Sequence, residues 1–309
     1  KTQLNRFLLP ALILVTAAFI GGAAQWVMIN KGFPHRVSEE VRAILAAKND
    51  RNNADKNCIG NFTDKVPACQ FGSERIDVVV IGDSHAHSIV TAVLAALPVG
   101  GGMSYWGYLA CPTVAQIAND QGCVKFNRDI IARAQSLPPN TPIIIASRFS
   151  YYPFGEGLDG YEIEKSKPQV HFGERLRVAT PEFLEQYTAN TKSQLCQVAA
   201  NHPVSVVLPI PELIQLVPQA MARSMMKGKF ERVSITLEDY QRRNSFVLGV
   251  LNEVAVECGV RLLDPMPYLC DEGYCFGDVD GKPIYYDDDH LNESGNKFLV
   301  PMIRDALSY

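Results

Sequence analysis

From Val78 onward the chain alternates short apolar runs with stretches of helical periodicity, and few architectures accept that order. Val78–Ile81, Met103–Trp106, Pro142–Ser147, Val204–Leu208 and Val260–Leu263 read as buried strands, five in all. Between them, Ile89, Val90, Val93, Leu94 and Leu97 mark one helical face. Residues 124–137, 181–200 and 238–258 continue the helical pattern, and 294–307 closes it with Pro301 as an expected kink. Strands that alternate with helices imply an α/β fold, a five-stranded parallel sheet covered on both faces. At 309 residues the chain can bury one such core with appendages. Two long connections, 151–179 and 209–236, interrupt the rhythm, and loops of that length in a compact domain usually shape a binding site.

The N-terminus sets a different constraint. Phe7–Ile29 holds 23 residues without a charge, about 34 Å of helix and enough to cross a bilayer core. Trp26 sits where an interfacial aromatic belongs, and Lys1 and Arg6 before the span place the rest of the chain outside the cytoplasm. A cleaved signal peptide ending near Gly22-Ala23-Ala24 is the competing reading, although the apolar stretch runs past that site. A first residue that is Lys and not Met suggests part of a longer polypeptide. The expected organisation is a membrane helix with its flanks over 1–31, an extension over 32–75 and a catalytic domain over 76–309. Within the extension, Ser38 reads as the N-cap of a helix running to Lys48.

The eight cysteines contain no C-x-x-C pair, which argues against a zinc ribbon or a thioredoxin-like site. An even count in an exported domain reads as disulfides, with buried free thiols as the alternative. Proximity suggests Cys58–Cys69, Cys111–Cys123 and Cys270–Cys275, leaving Cys196 and Cys258 to join two helices. Closing a loop of about 15 residues stabilises by roughly 3 kcal/mol in the chain-entropy account. The formal net charge of −4 and the lack of a Lys/Arg run leave no footprint for nucleic acid.

Two motifs carry chemistry. Gly82-Asp83-Ser84-His85 falls between the first strand and the first helix, at the carboxyl end of the sheet where open α/β folds place their ligands. A helix N-terminus there also favours a developing oxyanion, though a serine in that position can equally be a cap. Near the other end stands Tyr285-Tyr286-Asp287-Asp288-Asp289-His290. Asp287 and His290, three residues apart, would share a face in a helical turn. An acid so placed holds an imidazole in the tautomer that can accept a serine proton. Asp/His clusters also bind divalent ions, but no second group of ligands accompanies this one, and no metal is expected. Asp278-Val279-Asp280-Gly281 is read as a hairpin turn and not as a calcium loop.

These motifs resemble the first and last blocks of the SGNH hydrolase superfamily. The likeness is stronger to the extracytoplasmic SGNH domains fused to membrane acyltransferase type 3 (AT3) proteins, typified by bacterial O-antigen O-acetyltransferases. It rests on IGDSHAHS at 81–88, Cys111-Pro112, ASRFSYY at 146–152, the cysteines at 270 and 275, and YYDDDHLNESG at 285–295. The resemblance implies a three-layer, flavodoxin-like fold with Ser84 as nucleophile, His290 as base and Asp287 as its orienting acid. It implies acetyl transfer to a hydroxyl of a surface glycan resembling lipopolysaccharide, in the periplasm of a bacterium and at its inner membrane. No cofactor is expected in this domain; an acetyl group derived from acetyl-CoA would arrive from a membrane acyltransferase bundle of the same polypeptide. The sequence departs from the superfamily after the third strand, where Ala146-Ser147-Arg148-Phe149 lacks the usual Asn. Gly107 and Arg148 are the candidates for the oxyanion and substrate contacts, with a structural ion pair as the other reading of Arg148, and His85 and His87 are expected to support the helix start. A carbohydrate O-acyl esterase with the same three residues, and an inactive glycan-binding module, are the alternative functions.

Overall fold

In a computed structural model, which describes residues 4–30, 32, 36–52, 58–60, 68–156 and 167–308, α1 (Leu4–Ile29) carries its apolar side chains from Leu8 onward exposed. It contributes nothing to the protein core, and Leu8–Ile29 is long and apolar enough to cross a membrane. The expected orientation signal at Lys1 and the Arg6 side chain lies outside the described residues. Ser38 caps α2 (Glu39–Ala46) through its hydroxyl, which accepts from the Val41 N–H, as its position before the first apolar face predicts.

The extension then enters the sheet. β1 (Ile59–Gly60) and β2 (Cys69–Gly72) both lie along the outer edge of a later strand, one parallel and one antiparallel. β3 (Val78–Gly82) is wholly buried, as a central parallel strand must be. Its period of two divides it: Val78 and Val80 pack with Ile89 of α3 (Ser84–Ala96), while Val79 and Ile81 face the opposite layer. Burying each such side chain is worth about 1.5–3 kcal/mol. β4 (Gly102–Tyr108) lies on one side of β3, and the chain returns through α4 (Gln121–Ser136) to place β5 (Ile143–Ala146) on the other. The strand order therefore reverses at β3, the switch point where α/β folds open a crevice.

After α5 (Tyr151–Phe154), the connection of 151–179 is described only to 156 and from 167. α6 (Pro181–Ala199) and β6 (Val204–Val207) follow. The connection over 209–236 is less irregular than expected. It holds α7 (Val217–Met226), whose Val217 and Met221 are fully buried at helical spacing, and β7 (Ser234–Thr236). α8 (Leu237–Cys258) and β8 (Arg261–Leu263) complete the sheet, in order β1-β4-β3-β5-β6-β8 with β2 beside β4. The five expected strands form its parallel centre, and the two from the extension bring it to seven. Residues 32–75 are thus partly built into the sheet and are more than a linker.

α9 (Met266–Leu269), β9 (Cys270–Asp271) and β10 (Tyr274–Phe276) form a small appendage with β7. β11 (Asp278–Val279) and β12 (Lys282–Pro283) make the expected hairpin, turning at Asp280 and Gly281 with positive φ. At the end a 3-10 turn (Asn296–Leu299) precedes α10 (Val300–Leu307). Pro301 opens this helix instead of kinking one, because the first turn has no need of its missing N–H. All four disulfides match the expected pairing, with Cys196–Cys258 joining α6 to α8.

Candidate active site

Gly82 makes the turn that exposes Ser84. Its φ of +150° and its nearness to β5 exclude a side chain: a Cβ would stand 1.8 Å from the Ala146 carbonyl oxygen. Asp83 comes next as the N-cap of α3, its Oδ1 accepting from the His85 N–H at 2.8 Å. Its other oxygen accepts from the Ser147 hydroxyl at 2.7 Å, the Arg148 N–H at 2.9 Å and the Tyr152 hydroxyl at 2.5 Å. One buried carboxylate thus ties the start of α3 to the loop after β5.

The D-x-x-H segment is a closed loop and not the helical turn expected. Tyr285 bridges Leu291, and the Tyr286 N–H donates to the His290 carbonyl at 3.1 Å. Asp287 reaches forward inside this loop, its Oδ1 accepting the N–H of His290 at 2.8 Å and of Asp289 at 3.2 Å. An Asp side chain that competes with the backbone for its own N–H groups favours such turns over helix. The connection between β6 and α7 holds the loop from outside, because Leu213 and Val217 donate their N–H groups to the carbonyls of Asp288 and Asp287.

Within that frame His290 Nε2 lies 2.7 Å from Ser84 Oγ, and its Nδ1 lies 3.0 Å from Asp287 Oδ2. The three residues selected from the sequence therefore form one hydrogen-bonded chain of acid, imidazole and hydroxyl, able to move the serine proton to the histidine. A second acid, absent from the sequence expectations, also faces Nδ1: Asp289 Oδ1 at 2.8 Å. Burial would lower the His290 pKa, but hydrogen bonds to Asp287 and Asp289, and then their charges, outweigh it and raise it to about 10. Burial likewise pushes the Asp289 carboxyl up, while contacts with His290 and His85 hold it well below the usual carboxylate range.

Of the two readings of Arg148, the structure places it as the ion-pair residue. Its guanidinium meets Glu212 at 2.8 Å, Asp289 at 2.9 Å and Glu156 at 3.0 Å, and Arg243 adds a further contact to Glu212 at 3.2 Å. A cation spread over three carboxylates is the hub of an ion-pair cluster, and this geometry does not offer it as an oxyanion donor. Gly107 lies near the end of β4 in register with Gly82, and the room where its Cβ would stand is filled by the Tyr105 phenol. His85 projects from the first turn of α3 with Nε2 3.3 Å from Asp289, while His87 packs on Tyr105.

The extension also reaches the site. The Asp50 carbonyl accepts from the Glu293 N–H at 3.0 Å, and its carboxylate accepts from the Ser294 hydroxyl at 2.9 Å. Asn52 donates to the His87 carbonyl at 2.9 Å, so this strap joins the serine helix to the histidine loop. Between them the Arg51 guanidinium lies 4.3 Å over the Tyr286 ring, which stacks in turn on His290 at 5.1 Å. Sequence offered no cue to Arg51 in this column, because it lies in a polar stretch without periodicity. Among the described residues His85, Asp289 and His290, and separately Asp287, Asp288 and Asp289, stand close enough to hold a cation. The first group already carries its own hydrogen bonds.

A family model described as an SGNH domain fused to AT3 domains matches residues 50–305. Among solved structures, the chain is similar to the lipopolysaccharide acetyltransferase periplasmic domain of Salmonella ser. Paratyphi A. The TM-score is 0.55 at 12% identity, over 75% of this chain and 84% of that one. A carbohydrate acetylesterase from Sinorhizobium meliloti matches with a TM-score of 0.40 at 17% identity, over 75% of this chain and 97% of that one. The first is a likeness of fold. No curated protein sequence matches the chain.

Proposed function

The chain belongs to the family of SGNH domains fused to AT3 domains, and from that premise we propose that it transfers an acetyl group through Ser84 to a hydroxyl of a bacterial surface glycan. The observation that carries the reading is His290 Nε2 at 2.7 Å from Ser84 Oγ, at the carboxyl end of the central strand. Ser84 Oγ attacks the acetyl carbonyl carbon while its proton passes to His290 Nε2. The bond to the donor's leaving group breaks, and that group departs with the proton from His290. A sugar hydroxyl then gives its proton to the same nitrogen as its oxygen takes the acetyl, and Ser84 recovers its proton. Backbone N–H groups of Ser84, in the first turn of α3, and of Gly107 serve as the oxyanion donors in this reading.

The exposed apolar α1 and the four disulfides support a domain held at a membrane in an oxidising compartment, the periplasm. The donor acetyl arrives from the AT3 part to which such domains are fused, and the similar fold of a lipopolysaccharide acetyltransferase domain makes a lipopolysaccharide-like glycan the acceptor of choice. The test supplies the chain with an acetyl ester and a polysaccharide acceptor and tracks acetyl by mass. Acetyl is expected on the Ser84 peptide and then on the glycan. Free acetate alone, with no acetylated glycan, would replace transfer with hydrolysis.

A further inference from the structure

A histidine Nδ1 carries one hydrogen, yet two carboxylates face that of His290, and they are held in different ways. Asp287 has a quarter of its side chain exposed, and its Oδ1 is occupied with the N–H groups of Asp289 and His290, the contacts that shape the loop. Asp289 is 5% exposed in its side chain and uses both oxygens on side chains: Oδ1 on His290 at 2.8 Å, Oδ2 on Arg148 at 2.9 Å and His85 at 3.3 Å. Arg148 is fixed in turn by Glu212 and Glu156, and His85 sits next to Ser84 on α3. Asp289 thus touches the histidine loop, the serine helix and the loop after β5 together.

We propose that Asp289 is the principal positioning residue for His290, anchored by Arg148 and His85, and that Asp287 mainly shapes the loop and shares the imidazole. The proposal rests on the Ser84–His290 chemistry above. The physical reason is orientation: a buried acid whose second oxygen is locked cannot swing away, whereas an exposed one exchanges partners with water. It also accounts for Arg148, where the superfamily's Asn is missing: the cation holds the acid that holds the base. The groups facing His290 are Ser84 and His85 from α3, Tyr286, Asp287 and Asp289 from its own loop, Arg148 behind Asp289, and Arg51 behind Tyr286.

The test reads the imidazole itself and does not depend on turnover. In the detergent-solubilised chain carrying Ser84→Ala, the His290 ring is titrated by nitrogen NMR, alone and with Asp289→Asn or Asp287→Asn added. Removing a carboxylate this close lowers a histidine pKa by about one unit or more, and Asp289→Asn is expected to give the larger drop. Equal titration with and without Asp289, while Asp287→Asn takes the whole shift, overturns the proposal. With Ser84 intact, kcat of Asp289→Asn is expected to fall with KM little changed, and the Asp287/Asp289 double variant to lose about 10²–10⁴-fold. Should Asp289→Asn not fold, Asp289→Glu keeps the charge one methylene out of place. It is expected to retain the raised pKa and lose turnover, and full turnover there would also overturn the proposal. Should no variant or wild type show acyl chemistry, the functional reading fails while the titration still decides the role of Asp289.

Discussion

Ser84 Oγ and His290 Nε2 are 2.7 Å apart although 206 positions separate them in the chain. The contact joins the first turn of α3 to a loop held by α7's connection and by the strap from Asp50 to Asn52. Ser84→Ala and His290→Ala are each expected to cost up to about 10⁶-fold in acyl turnover. Circular dichroism should show little change for either, and Ser84→Ala should melt normally, whereas His290→Ala takes a partner from buried Asp289 and is expected to melt earlier. A folded Ser84→Ala protein that still acquires acetyl would remove Ser84 from the mechanism.

pH should move activity and stability in opposite directions. His290 must be unprotonated to accept the serine proton, and its pKa is raised from 6.5 to about 10. The acid limb of kcat/KM is therefore expected well above 6.5, with activity climbing as the medium becomes alkaline. A raised folded-state pKa stabilises the fold fully below the unfolded value of about 6.5. That contribution is lost as pH rises through the folded-state value. Because the imidazole and two carboxylates interact strongly, the limb reports the cluster as a unit. An acid limb at or below the ordinary histidine value, measured from mildly acidic to alkaline pH, would contradict the site as described.

Arg148→Ala separates an ion-pair hub from an oxyanion donor. Removing the cation leaves Glu212 and Asp289 buried with fewer partners, which typically costs about 3–5 kcal/mol, so a markedly lower melting temperature is expected. Below that temperature, turnover should fall through Asp289, and adding Asp289→Asn should cost little more, because the two act on one path. A loss of about 10²–10³-fold when Arg148→Ala is added to Asp289→Asn, the size of a lost oxyanion donor, would restore the role that the sequence suggested for Arg148.

Local pattern carried most of the fold. The alternation in β3 between Val78–Val80 and Val79–Ile81 is a property of adjacent residues, so the parallel centre and its layers were legible in the sequence alone. Three disulfide pairs could be read from short separations and Cys196–Cys258, 62 positions apart, only from what they left, while Ser84 and His290 stood in motifs at element ends. The helix α7 was not expected, although Val217 and Met221 stand one turn apart, because Pro218 in its first turn reads as a break and not as a start. What no local pattern carried was the partner of each charge. Three consecutive aspartates precede His290, and their spacing favours Asp287; only the closed loop turns Asp289 inward to meet Arg148 and His85. Likewise nothing near Arg51 foretells Tyr286, and nothing near Arg148 foretells Glu212, 64 residues away. Sequence determines where chains turn and which faces are apolar, because those depend on neighbours within a few residues. Which buried acid neutralises which cation is decided by the crossing of distant elements, and that belongs to the tertiary structure.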